Sequence, residues 1–132
     1  MPKSYYLKKK ITNHIYGVEL FTPPQPPFYI NFHNTDPGVT GLDSVELLSD
    51  RLEVDFLVSE DTLTKRVIAT NTAEVVFGPL SSGESLTASH ITIWDSVEDG
   101  ELLYYLELEN TLNVNEFQTL VIPVGALVTE EV

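Results

Sequence analysis

From Thr87 to Glu109 the chain alternates in two arms. His90, Thr92 and Trp94 alternate with Ser89, Ile91 and Ile93. After a break, Leu102, Tyr104, Leu106 and Leu108 alternate with Leu103, Tyr105, Glu107 and Glu109. A period of two in β-branched and aromatic residues marks a strand, because successive side chains point to opposite faces. Asp99-Gly100 between the arms is a turn pair, since glycine takes positive φ without a Cβ clash. The pattern predicts a long β-hairpin at the centre of a sheet. Trp94, Ile91 or Ile93, Leu102, Tyr104 and Leu106 are expected to share one core with Val54 and Phe56.

The same alternation predicts shorter strands on either side. Phe28–His33 is the first, followed by an Asn34-Thr-Asp-Pro-Gly38 turn. Val39–Asp50 is acidic and weakly patterned, which reads as a surface loop with a helical turn at Ser44–Leu48. In Arg51–Val58, Leu52, Val54, Phe56 and Val58 alternate as an inward face. Arg66–Ala69, Ala73–Phe77, Phe117–Ile122 and Val124–Thr129 complete the set, with Gly, Pro and Ser clusters between them. About eight short, regularly spaced strands predict an all-β fold, an antiparallel β-sandwich or jelly-roll-like barrel.

The N-terminus has a different period. Leu7, Ile11 and Ile15 recur every four residues between Ser4, an N-cap residue, and Gly17, a helix stop. This predicts a short amphipathic helix, which at three turns is marginal alone and needs a surface to lie on. Its own sandwich is one such surface and a neighbouring subunit is another. Pro23, Pro24, Pro26 and Pro27 then form a stiff extended connector, because proline neither continues a helix nor joins a central ladder. The division expected is an arm over 1–17, a connector over 18–27 and one β domain over 28–132.

Charge sharpens the arm. Residues 1–17 hold Lys3, Lys8, Lys9 and Lys10 with no acid, a charge of +4. The remaining residues hold all 20 acids against Arg51, Lys65 and Arg66, a charge of −17. Such a body repels nucleic acid, whose binding requires cations against phosphates. No apolar run is long enough for a membrane span. The expected partners are therefore neither nucleic acid nor membrane.

Candidate chemistry is sparse. The chain has no cysteine, so neither disulfides nor zinc thiolates are available. His14, His33 and His90 are not brought together by any spacing, and no nucleophile elbow or phosphate-binding glycine motif occurs. Acidic groups at Asp43/Glu46/Asp50 and at Asp95/Glu98/Asp99/Glu101 have the oxygen chemistry of Ca²⁺ ligands, but Val97 stands where an EF-hand needs a second oxygen. Asp95, Glu98 and Asp99 are thus weak metal candidates. The reading is of a non-enzyme with no cofactor. Tyr105, alternating with Glu107, is the aromatic expected at a surface.

The order of motifs resembles a family. Met1-Pro-Lys-Ser-Tyr-Tyr-Leu7 with Ile11-Thr-Asn-His-Ile15, then Asn34-Thr-Asp-Pro37, Asn71-Thr-Ala-Glu-Val-Val-Phe77, Ser89-His-Ile-Thr-Ile-Trp-Asp95, Leu102-Leu-Tyr104 and Leu120–Leu127 run along nearly the full length. They are similar to small structural proteins of tailed-bacteriophage virions, often labelled tail fibre proteins. The resemblance implies a virion component assembled in the host cytoplasm, associated with the tail or its fibres and with other virion proteins. A capsid cement or decoration protein, partnered by the major capsid protein, is the alternative; a receptor- or glycan-binding module is another. Interaction is expected through Leu7, Lys8, Lys9, Lys10, Ile11 and Ile15 of the arm, the four connector prolines and Tyr105, in a homo-oligomer such as a trimer.

Overall fold

The computed structural model describes residues 1–130. One helix, α1 (Tyr5–Ile15), precedes nine strands: β1 (Phe28–His33), β2 (Leu52–Val54), β3 (Phe56–Asp61), β4 (Arg66–Asn71), β5 (Val75–Phe77), β6 (Leu86–Trp94), β7 (Leu102–Val114), β8 (Leu120–Ile122) and β9 (Val128–Glu130). All pairings are antiparallel. A four-stranded sheet runs β2-β1-β6-β7, a second runs β3-β4-β9, and β5 pairs with β8. The all-β antiparallel sandwich is as the alternation predicts.

The β6–β7 hairpin is central, but its loop is wider than Asp99-Gly100 alone. The Asp95 N–H donates to the Glu101 carbonyl, and Asp95 Oδ1 accepts from the Glu101 N–H at 2.8 Å. Asp99 and Gly100 both take positive φ within that loop.

The main core lies between the four-stranded sheet and the β5–β8 pair. Ile30, Phe32, Val54, Ala88 and Ile91 meet Val75, Leu120 and Ile122, with Leu48, Leu80 and Leu127 closing the ends. The strand predicted over Arg51–Val58 is two strands, broken at Asp55, each in a different sheet. The break explains why there are nine strands, and why Val58 does not face inward: it is exposed, on a hairpin that leaves the core.

The register also corrects the single-core expectation. Ile91 pairs with Leu106 and Ile93 with Tyr104, so these four share a face. Thr92 and Trp94 belong to the opposite face. Trp94 is buried, 4% exposed, but beneath the loop before β2 rather than beside Tyr104 and Leu106. Phe56, Tyr104 and Leu106 are only half-buried: Phe56 and Tyr104 line a cleft between the sheets, and Leu106 lines a crevice beside β8. Between the two sheets an apolar cleft of 210 Å³ is lined by Phe28, Phe56, Ile93 and Tyr104 among others.

The loop over 39–50 is likewise more than surface. It has no helical turn at Ser44–Leu48. Instead Leu47 N–H donates to the Phe32 carbonyl, and the Asn31 side chain takes both backbone groups of Leu48: Oδ1 accepts from its N–H at 3.0 Å and Nδ2 donates to its carbonyl at 3.1 Å. Asn31 thereby replaces a missing ladder partner, which lets Leu48 reach the core without stranding polar backbone.

Candidate interaction surfaces

The arm is built from its cap outward. Ser4 is fully buried and its Oγ accepts from the Leu7 N–H at 3.1 Å, the N-cap bond the sequence predicts. Capping of this kind contributes about 1 kcal/mol. Gly17, at φ +72°, ends the helix. The Ser4 N–H donates to the Leu103 carbonyl, the Tyr105 N–H donates to the Pro2 carbonyl, and the Tyr5 N–H donates to the Val39 carbonyl. Residues 2–4 thus cover the first part of the outer edge of β7, and Leu7 is buried behind them. The connector therefore does not hold the whole helix away from its own sheet. The first turn is fastened to it.

Beyond that turn the apolar stripe divides. Ile11 is half-buried, whereas Ile15 is 69% exposed, Tyr16 79%, Val18 73% and Leu20 91%. The chain then doubles back on the helix. Asn13 Nδ2 donates to Glu19 at 3.0 Å, Lys10 Nζ pairs with the same carboxylate at 3.3 Å, the Phe21 N–H donates to His14 Nδ1, and the Phe21 ring meets Tyr6 edge-on. The Asn13 and Lys10 hydrogen bonds hold the Glu19 carboxyl below its usual pKa. Lys10 thus meets an acid of the connector, while Lys8 and Lys9 are exposed. Pro23, Pro26 and Pro27 are exposed and Pro24 half-buried, and the Pro26-Pro27 bond is cis. Tyr105 is half-buried beside the N-terminal segment rather than displayed.

The second region surrounds Trp94. Its Nε1 donates to Thr92 Oγ1 at 2.8 Å, and the Arg51 guanidinium lies 3.9 Å from its ring centroid. Arg51 is held in turn by Glu46 at 2.6 Å and by the Ser96 and Asp99 carbonyls. Gly41 packs against the ring edge: a Cβ there would stand 2.8 Å from Trp94 Cη2. One face of the indole and its outer edge are therefore occupied, and with the ring 4% exposed it is removed as a sugar platform. A cavity of 310 Å³ beside it is lined by Ser44, Glu46, Arg51 and Asp99.

Thr92 Oγ1 also meets His33 Nε2 at 3.1 Å. His33 is fully buried, with Nδ1 unpartnered, and burial pushes its pKa below the usual value. Strand pairing sets His33 directly opposite His90, a proximity no spacing revealed. His90 Nδ1 lies 2.7 Å from Ser89 Oγ, where β6 faces a bulge in β7. The acidic candidates do not converge. Asp95 closes the hairpin loop, Asp99 turns its carbonyl to Arg51, and Glu46 pairs with Arg51. Among the described residues no three His, Cys, Asp or Glu side chains are grouped to hold a metal ion. Among them, too, no helix is long and apolar enough to cross a membrane.

The whole described body is thus organised by packing, capping and backbone satisfaction. A family model described as podophage GP4 fiber I protein gp80 matches residues 2–130. The chain belongs to that family. The match takes in the helix and the proline-rich residues as well as the strands. No curated protein matches the chain. Membership makes it a structural component of a phage virion, of the tail-fibre class, in association with other virion proteins.

Of the residues expected to interact, the structure brings Lys8, Lys9, Ile15 and the connector to the surface and turns Leu7 inward. Sequence reasoning missed Val18 and Leu20, which follow the helix stop and belong to no periodic pattern. It also missed Arg51, Asn31 and Asn71, whose partners lie far along the chain.

Proposed function

We propose that this fibre-family chain is an attachment and assembly module, in which the sandwich is a rigid body and the arm joins it to a neighbouring virion subunit. The observation that carries this is the end of the arm. Ile15, Tyr16, Val18 and Leu20 are exposed together at the turn that follows α1, with Lys8 and Lys9 nearby. Such large apolar side chains, clustered and bordered by charge, are characteristic of a surface that another protein covers. The sandwich beneath is held by its own core, so the arm tip can engage without the body rearranging.

The tail-fibre setting agrees with family membership, and a decoration protein on the shell is distinguished from it by copy number. The test uses phage carrying Ile15→Ser, Val18→Ser and Leu20→Ser together. The purified chain should keep its melting temperature, because these side chains touch little of the body. Mass spectrometry of purified particles should show the chain lost. Particles that retain it at full copy number would refute the arm as the joint.

A further inference from the structure

Further along β7, past the stretch that the N-terminal residues cover, the sandwich has an open seam. β7 follows β6 until Leu106↔Ile91 and His90↔Glu107, then departs; pairing resumes at Ala88↔Leu112. Ser89 alone faces the excess segment Leu108–Thr111, so β7 bulges out of the ladder, with Leu108 and Leu112 still packed against the core. The bulge opens an apolar crevice of 240 Å³ between β7 and the chain around β8. Phe32 and Ile91 form its floor, Leu108 and Leu112 one wall, Val121 and Ala126 the other. An apolar cavity of roughly 150 Å³ already holds a six-carbon ring. This crevice therefore has room for one or two aliphatic side chains.

We propose that the arm tip of a second copy fills this crevice, with Val18 and Leu20 entering it, so that copies join head to tail. The inference rests on the reading of the arm as an assembly contact and names its acceptor. Charge selects the occupant. Residues 18–132 carry −17, so two bodies placed face to face repel. The arm carries +4 without an acid, and of its lysines Lys10 is engaged by Glu19. Lys8 and Lys9 remain on the surface. On β7, the strand that walls the crevice, Glu107 and Glu109 are exposed. An arm tip seated in the crevice brings the two lysines to the strand whose outer face carries these two carboxylates. The tip of a chain's own arm is left exposed while its own crevice stands open, which is the arrangement an exchange between copies requires. Donor and acceptor are different surfaces, so the contact is heterologous, and it closes a ring where the rotation permits.

The absence of cysteine makes the test direct. One full-length chain carries Leu20→Cys and another Ala126→Cys. The two are mixed and treated with a short bis-maleimide. A crosslinked species of twice the 14.8 kDa chain mass should form. Its yield should fall at least tenfold when the acceptor also carries Val121→Asp, an exposed wall position that spares the core. Lys8→Glu with Lys9→Glu in the donor should lower the yield, and Glu107→Lys with Glu109→Lys in the acceptor should restore it. The restoration should weaken as salt shortens the screening length below about 10 Å. Leu63→Cys, on the remote β3–β4 turn, is the control acceptor. Crosslinking no better than this control, or undiminished by Val121→Asp, would overturn the proposal. So would a chain that sediments as a monomer at every concentration. If arm variants are nevertheless excluded from particles, the arm joins a different virion protein and only this acceptor is lost; if they enter particles normally, the arm reading itself falls.

Discussion

Replacing Trp94 by Ala probes the second, smaller core that register places on the far face of the sheet. The indole is 4% exposed, so truncation removes a nearly fully buried ring. Large-to-small changes of this kind cost about 3–5 kcal/mol, depending on how far the site collapses. Collapse here is opposed by Arg51, which is held in place by Glu46, Ser96 and Asp99 and cannot follow the ring. The lost cation–π contact adds roughly 0.5–2 kcal/mol. Together these give a cost of about 4–6 kcal/mol. Domains of this size have only about 5–15 kcal/mol of stability, so the variant should be partly unfolded or close to it at room temperature. Urea unfolding followed by far-ultraviolet circular dichroism measures the difference, because the substitution removes the sole tryptophan and with it the fluorescence signal. Trp94→Phe separates the components. It keeps an aromatic face for Arg51 but loses the Nε1 bond to Thr92, and should cost about 1–3 kcal/mol. A loss below about 1 kcal/mol for Trp94→Ala, the level of ordinary surface changes, would show the ring to be exposed and refute the burial argument.

Three further outcomes are expected. Asn71 is buried, donates to the Ala73 and Pro123 carbonyls at 2.9 Å and accepts from the Leu127 N–H at 3.0 Å; Asn71→Ala should cost about 2–4 kcal/mol in urea unfolding, and a neutral result would show that water replaces it. Gly41→Ala places a methyl against Trp94 Cη2 at a φ of +76°, so it should destabilise by about 1–3 kcal/mol, and an unchanged melting temperature would refute the close approach. His33 has a folded pKa below the ordinary value because it is buried, so the unfolded chain takes up a proton that the folded chain refuses. Its contribution is fully present above about pH 6.5 and lost as pH falls below it; the urea midpoint should drop between about pH 7.5 and 5.5, and drop less in His33→Gln. Equal slopes for the two chains would remove His33 as the cause.

How much of this was legible in the sequence depended on how locally each feature is caused. α1 was, because its cap, its stripe and its stop are adjacent in the chain and act through adjacent backbone groups. The β6–β7 hairpin was, because alternation is a direct readout of a two-sided sheet. The break at Asp55 was not: four alternating residues look the same whether the strand continues or passes into another sheet. Trp94 was correctly read as buried but assigned to the wrong face, because alternation within a strand is silent on register across the loop, and one residue of irregularity at Ile93/Trp94 changes what its partners are. Asn31, Arg51 and Asn71 act on backbone up to 56 residues away, so no window of sequence contains both halves of the interaction. The arm tip was half legible. Lys8, Lys9 and Ile15 were readable from charge and period, while Val18 and Leu20 became visible only once the chain was seen to fold back along α1.

Cryo-electron microscopy of the intact particle tests the central claim most directly, because it shows position, copy number and neighbours together. The account predicts a few copies at the tail fibres, each with Ile15, Val18 and Leu20 covered by an adjacent subunit and the sandwich otherwise unchanged. Copies tiled over the shell, or fibre-bound copies whose arm tip faces open solvent, would contradict it.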